Sequence, residues 1–297
     1  MLFANRSAAE KRQGLRNALG SGRLLRFPGA HAPIVSRIAE ETGFDGVYIS
    51  GAALSADMAL PDIGLTTLSE VAARGRQIAA ATDLPCIIDA DTGFGESMNA
   101  ARTVRELEDA GLSGCHIEDQ VLPKRCGHLE GKTLVATAEM VQKIRAAADA
   151  KRDPNFLLMA RTDANAVEGL DATIERAKAY VDAGADALFP EALTDQTQYQ
   201  TFRAAFDVPL LANMTEFGKT PLLNADQLQE LGFNIVIYPV TSLRLAMKAI
   251  EDGFAEIMRA GTQAGIVGKM QTRKRLYEVL KYEDYNSFDQ DIFNFKL

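Results

Sequence analysis

The chain has 297 residues, 47% hydrophobic and 24% charged, with a formal charge of −8 at neutral pH. That balance is globular rather than disordered, allows one large α/β barrel or two smaller domains, and argues against a surface for nucleic acid or an anionic membrane. Three cysteines, at positions 86, 115 and 126, make no disulfide framework, no apolar run reaches the ~18 residues of a membrane span, and the N-terminus shows no secretory pattern, so a cytoplasmic protein is expected.

Short apolar runs, partly β-branched, lie at 24–27, 46–50, 84–89, 114–118, 156–161, 185–191, 209–213 and 234–239. Their length and composition predict strands buried on both faces of a parallel sheet. Helical periodicity fills 68–81, 98–110, 138–148, 170–183 and 225–231, and Gly43, Gly111, Gly184 and Gly232 stand at helix C-cap positions. Eight strands in regular alternation predict a (β/α)8 barrel. An open doubly wound sheet is disfavoured because no Gly-rich dinucleotide turn follows the first strand. Helical patterns at 243–264 and 269–281, then an aromatic and acidic tail to Leu297, exceed what a minimal barrel needs. One domain over 1–297 is expected, with 243–297 as a helical extension suited to packing on another subunit.

The strand ends carry Ser50, Asp89 with Asp91, His116 with Glu118, Arg161 with Asp163, Glu191, Asn213 with Thr215, and Thr241. In a barrel the C-terminal ends of the strands bear the chemistry, so these residues would converge on one mouth; any single one also suits the cap of the next helix. Asp89 and Asp91 are spaced to share a face of an extended strand. Such a pair repels unless a cation such as Mg²⁺ or Mn²⁺ compensates it, and His116 and Glu118 on the next strand could orient metal-bound water. Arg161 ends a buried strand and needs an anion: a substrate carboxylate, or an internal partner in Asp163 or Glu191. Ser50-Gly51 offers a hydroxyl and approachable backbone N–H groups. Cys86 and Cys115 sit in apolar runs as small hydrophobes. Cys126, in Lys124-Arg125-Cys126-Gly127-His128, lies among potential cations that favour a thiolate. A metal with three donor clusters suits a small polycarboxylate, and no phosphate cradle follows the last two strands.

These residues resemble the isocitrate lyase/phosphoenolpyruvate mutase superfamily. The matching stretches include Tyr48-Ile49-Ser50-Gly51, Asp89-Ala90-Asp91-Thr92-Gly93-Phe94-Gly95, His116-Ile117-Glu118-Asp119-Gln120, the Lys-Arg-Cys-Gly-His loop, Phe189-Pro190-Glu191-Ala192, Asn213-Met214-Thr215-Glu216-Phe217-Gly218 and Met270-Gln271-Thr272-Arg273, nearly the whole chain. The resemblance implies Mg²⁺ (or Mn²⁺) on Asp89 and Asp91, with Glu118 in the outer sphere. It implies substrate contacts from Ser50, Gly51, Ala52, Gly127, Arg161, Glu191, Asn213, Thr215, Arg244 and Arg273. Cys126 would exchange a proton with the departing carbon, Tyr48 and Glu191 are candidates for the hydroxyl's base, and His128 suits a catalytic or a loop-orienting role. Ala52 stands where many relatives have a second glycine. The implied reaction is cleavage of 2-methylisocitrate to pyruvate and succinate, with 2,3-dimethylmalate or another 2-hydroxy polycarboxylate as the alternative substrate. The resemblance also implies a homotetramer that exchanges its C-terminal helices.

Overall fold

The computed structural model describes residues 4–125, 127 and 131–293. Eight parallel strands run in chain order: β1 (Leu25–Pro28), β2 (Val47–Ile49), β3 (Cys86–Asp89), β4 (Gly114–Glu118), β5 (Leu157–Thr162), β6 (Ala187–Pro190), β7 (Leu211–Asn213) and β8 (Ile235–Tyr238). The ladders join β2 through β6 in one series and β1, β8 and β7 in another. Two parallel bridges, Gly29 to Tyr48 and Leu188 to Leu210, connect the series at both seams. The strands therefore close on themselves in sequential order, as a (β/α)8 barrel does. β4 coincides with its apolar run, β1 and β5 are shifted by one residue at equal length, and the other five strands are shorter than their runs by one or two residues at one or both ends.

Among the described residues twelve α-helices accompany them: α1 (Ala8–Leu19), α2 (Pro33–Thr42), α3 (Gly51–Asp57), α4 (Leu68–Ala80), α5 (Ser97–Asp109), α6 (Thr137–Ala150), α7 (Leu170–Asp182), α8 (Gln196–Ala204), α9 (Ala225–Glu230), α10 (Thr241–Ala260), α11 (Arg273–Val279) and α12 (Tyr282–Phe293). The first begins at a capping box, Ser7 with Glu10, each side chain bonded to the other's backbone N–H. It crosses beneath the strands' N-terminal ends. Lys11 Nζ donates to Thr82 O at 2.6 Å, Arg12 Nε to Leu112 O at 2.8 Å and Arg16 Nη2 to Phe156 O at 3.0 Å. Its Leu15 and Leu19 join the cluster that fills the barrel interior.

Strand periodicity sets what that interior contains. Inward positions begin apolar, with Ile87, Leu157, Ala187, Leu211 and Ile235, and continue two residues later into Asp89, Met159, Phe189, Asn213 and Ile237. The outward-facing residues, including Ile88, Cys115, Leu158 and Leu188, pack with the helices in a second cluster. The apolar inner cluster thus occupies the lower barrel, and the polar side chains collect at the C-terminal mouth.

The C-terminal segment departs from expectation in detail. The helix expected over 269–281 is the shorter α11, preceded by a 3-10 turn at Ala264–Lys269, and the aromatic tail forms α12. No residue of the 20-residue α10 is buried, and Leu245, Phe254 and Met258 are 69%, 66% and 86% exposed.

Candidate active site

The structure brings Ser50, Gly51, Asp89, Asp91, His116, Glu118, Arg161, Glu191, Asn213 and Thr215 to the mouth, all of them buried. Ser50 is the N-cap of α3, its Oγ accepting the Ala53 N–H at 3.4 Å. The Gly51 N–H donates to Asp89 Oδ2 at 3.2 Å. A Cβ on Gly51 would stand 2.9 Å from that oxygen and 3.5 Å from Asp91 Oδ1, so a side chain here would intrude between the two carboxylates. Ala52 is half-buried within α3.

Asp89 and Asp91 do meet, but not on one extended strand. The strand ends at Asp89, and Asp91 lies in the left-handed region at φ 45°. Its N–H donates to Asp89 Oδ1 at 3.0 Å, its carbonyl accepts from Glu118 N at 2.9 Å, and Gly93 N closes the turn onto Ala90 O at 2.8 Å. Aspartate tolerates this conformation better than most residues, and backbone strain held by several bonds is common at functional sites.

Lys124, 3% exposed, places Nζ 2.7 Å from Asp91 Oδ1 and also pairs with Asp62. Its charge is therefore committed to carboxylates, where the sequence reading had it tuning a thiol. Burial alone would raise Asp89, but His116, Lys124 and Arg161 together hold it below the ordinary range, at about 2. Burial pushes Asp91 up to about 6 against the pull of Lys124, with Asp89 adding to the rise. Glu118 is pushed well up by burial, with Arg161 and Lys124 opposing, and neither of its oxygens has a hydrogen-bond partner.

The connected network at the mouth holds six buried carboxylates, Asp89, Asp91, Glu118, Asp119, Asp163 and Glu191, against four buried cations, Lys124, Lys132, Arg161 and Arg176. Burial has lowered His116 to about 4, so it adds no charge at neutral pH. A divalent ion beside Asp89 and Asp91 fits this deficit of positive charge and the buried Glu118 oxygens, which accept no hydrogen bond. Among the described residues no three His, Cys, Asp or Glu side chains converge to hold an ion unaided. The fit is to a hydrated ion on two carboxylates, as Mg²⁺ prefers, rather than to an all-protein cage.

Arg161 is already engaged by internal anions. Its Nε lies 3.0 Å from Asp163 Oδ2 and 3.3 Å from Glu118 Oε2, and its Nη2 3.1 Å from Glu191 Oε2. Its guanidinium carbon lies 5.0 Å from the Phe189 ring centroid. The internal ion pair, held open as an alternative by the sequence, is what the structure contains. Glu191 also accepts from Asn213 Nδ2 at 3.2 Å and from the Ala192 N–H at 3.0 Å, which leaves Asn213 Oδ1 buried and without a partner.

Below them, Tyr48 OH lies 2.7 Å from His116 Nε2, and that nitrogen is 3.7 Å from Asp89 Oδ1. Burial, reinforced by Asp89, raises the Tyr48 phenol well above its usual value. A phenol raised in this way suits a hydrogen-bond donor. Cys126 and His128 lie outside the described residues. Gly127 is buried, and a Cβ there would overlap Arg161 Nη2 and stand 2.5 Å from Glu191 Cγ, so only glycine brings the loop backbone this close.

Two expected contacts lie elsewhere. Arg244 Nη1 donates to Glu216 O at 2.5 Å and stacks over Phe217 at 5.1 Å, on the rim; Thr241 Oγ1 also donates to Glu216. Arg273 is exposed at the start of α11, whose Arg275 pairs with Glu41 and whose Val279 carbonyl accepts from Arg37. The sequence reading missed Lys132, which contacts Asp163 and Gly127. A lysine in a polar loop carries no sign of burial, and only the strand pairing around it reveals its position.

Residues 15–258 match the family described as phosphoenolpyruvate phosphomutase. The chain is 61% identical to a probable 2-methylisocitrate lyase 1 of Corynebacterium glutamicum over 99% of its own length and 97% of that protein's. Among solved structures, 2,3-dimethylmalate lyase, described as a PEP mutase/isocitrate lyase superfamily member, aligns with a TM-score of 0.88 and 33% identity over 97% of this chain and 96% of that one. Phosphonopyruvate hydrolase, solved with oxalate and Mg²⁺, aligns with a TM-score of 0.86 and 33% identity over 94% and 98%.

Proposed function

The chain belongs to the phosphoenolpyruvate phosphomutase family, and on that footing we propose that it is a carbon–carbon lyase cleaving 2-methylisocitrate to pyruvate and succinate, a step of propionate breakdown by the methylcitrate cycle. The observation that carries this reading is the buried Asp89–Asp91 pair, short of positive charge and facing Arg161, Glu191 and Asn213 across one mouth. Identity to a lyase named for that substrate supports it.

In this reading Asp89 and Asp91 would hold Mg²⁺, with Mn²⁺ as a substitute, and Glu118 would lie in its outer sphere. The bound ion supplies Lewis acidity that lowers the pKa of the substrate hydroxyl and favours the new carbonyl. Ser50 Oγ and the N–H groups at the start of α3 bind one substrate carboxylate. Arg161 and Asn213 Nδ2 bind the succinate portion, exchanging their bonds to Glu191 for bonds to substrate, and Arg161 opposes the charge that grows as the carbon–carbon bond breaks. Glu191, so released, is placed to take the hydroxyl proton. Cys126 as thiol protonates the departing carbon. An ordinary thiol, with pKa about 8.5, is near enough to neutrality to serve in both directions.

The same reading has the C-terminal helices exchanged between copies in a homotetramer. The apolar face of α10 has no cover among the described residues, and Arg273, remote from its own mouth, would serve a neighbour's. No helix among the described residues is long and apolar enough to cross a membrane, and a cytoplasmic location is part of the proposal. The second reading, 2,3-dimethylmalate cleavage, has the structural likeness to that lyase in its favour. Steady-state kinetics on both substrates separates them: a kcat/KM higher for 2-methylisocitrate supports the proposal, and one roughly tenfold higher for 2,3-dimethylmalate replaces it.

A further inference from the structure

The loop after β4 leaves the barrel through a narrow neck. Gln120 and Leu134 form an antiparallel bridge, Val121 N donates to Thr133 O at 2.8 Å and Val135 N to Asp119 O at 2.9 Å. Gln120 also clamps Arg125, its side chain accepting from Arg125 N at 2.8 Å and donating to Arg125 O at 2.9 Å. Lys132 emerges from the returning arm of this neck and turns inward, 8% exposed.

Among the described residues its ammonium has two partners. Nζ donates to the Gly127 carbonyl and lies 3.3 Å from Asp163 Oδ1. Asp163 in turn grips Arg161 at two points, Oδ2 to Nε at 3.0 Å and Oδ1 to Nη2 at 3.3 Å. Asp163 is itself fixed, because its N–H donates to Asp119 Oδ1 at 3.0 Å, and Asp119 accepts from Thr162 Oγ1 and Tyr180 OH at 2.7 and 2.9 Å. One end of the chain of contacts is therefore anchored in the barrel, and the other holds the residue that follows Cys126.

We infer that Lys132 is a positioning residue: its buried ammonium ties the Gly127 turn to the Asp163–Arg161 pair and so sets the thiol-bearing loop in register with the carboxylate-binding guanidinium. This rests on the activity proposed above only for the meaning of the register; the tie itself is geometric. A buried ammonium costs free energy unless its donors are met, and here two of its three donors are met by the two parts that chemistry needs aligned. Removing the charge frees the Gly127 carbonyl and leaves Asp163 to Arg161 alone.

The test compares Lys132→Met, Lys132→Arg and the unaltered full-length protein by kinetics on 2-methylisocitrate, thermal melting and limited trypsin digestion. For Lys132→Met we expect kcat/KM to fall about 100-fold, the scale of loss when catalytic geometry slips by an ångström. Cleavage after Arg125 should accelerate roughly tenfold relative to other sites, as the local opening free energy drops. Lys132→Arg, which keeps the charge, should restore slow cleavage after Arg125 and part of the activity. A purely structural lysine would instead lower the melting temperature and speed cleavage at all sites alike. That result, or unchanged cleavage after Arg125, overturns the inference. If Lys132→Met does not fold, Lys132→Gln, which keeps a donor without the charge, carries the same comparison. Should the unaltered protein fail to cleave 2-methylisocitrate, the proposed activity falls while digestion still decides the role of Lys132.

Discussion

Cys126 is the residue on which the proposed chemistry turns, and the other two cysteines, Cys86 and Cys115, are buried. Cys86 is raised by desolvation to about 12, with Lys11 opposing, and Cys115 is raised further by the same cause. A raised thiol pKa keeps the neutral form up to that pH, so at pH 8 Cys86 is almost wholly the unreactive thiol. Native protein treated with iodoacetamide at pH 8 should therefore lose one thiol, Cys126 by peptide mapping, and all three only after denaturation. Raising the pH to 9.5 should recruit no second site, and labelling of Cys86 or Cys115 in the folded protein would contradict the assignment.

Among the elements, α1 has the clearest separable role, because its Leu15 and Leu19 close the barrel floor beneath the apolar inner cluster. Leu15 is 1% exposed, and Leu15→Ala should cost roughly 2–5 kcal/mol by lost burial and the cavity left behind. Urea denaturation measures this directly, and a loss below about 1 kcal/mol would mean that α1 does not plug the barrel. The strands show why much of the site was legible in the sequence. Inward positions alternate with outward ones, so Asp89, His116, Glu118, Arg161, Glu191 and Asn213 follow from strand parity and from where the apolar runs stop. The rest depends on contacts that no local pattern encodes. Asp91 reaches Asp89 through a left-handed turn rather than along a strand, Arg161 is engaged by three acids, one at the end of β4 and one just past each of β5 and β6, and Lys132 is buried where a neck forms around it. The aromatic tail became α12 because its apolar residues recur at helical spacing, a period obscured by the acids between them.

For the whole molecule, the uncovered face of α10 is the feature a single copy leaves unresolved. Leu245, Ile250 and Phe254 are 69%, 51% and 66% exposed along one helix, a pattern that marks an association surface. Light scattering should give a mass four times that of the 32.2 kDa chain, and Phe254→Asp should shift it toward the monomer. A monomeric native protein at micromolar concentration would remove the tetramer from the proposal. The central claim, a metal-held hydroxy acid cut into two smaller acids at the Asp89–Asp91 mouth, is tested most directly by product analysis with and without EDTA. Purified protein with Mg²⁺ should convert 2-methylisocitrate to pyruvate and succinate in equal amounts by NMR, stop on chelation and resume on returning Mg²⁺. Products that form at the same rate in EDTA, or no succinate after prolonged incubation with Mg²⁺, would contradict it.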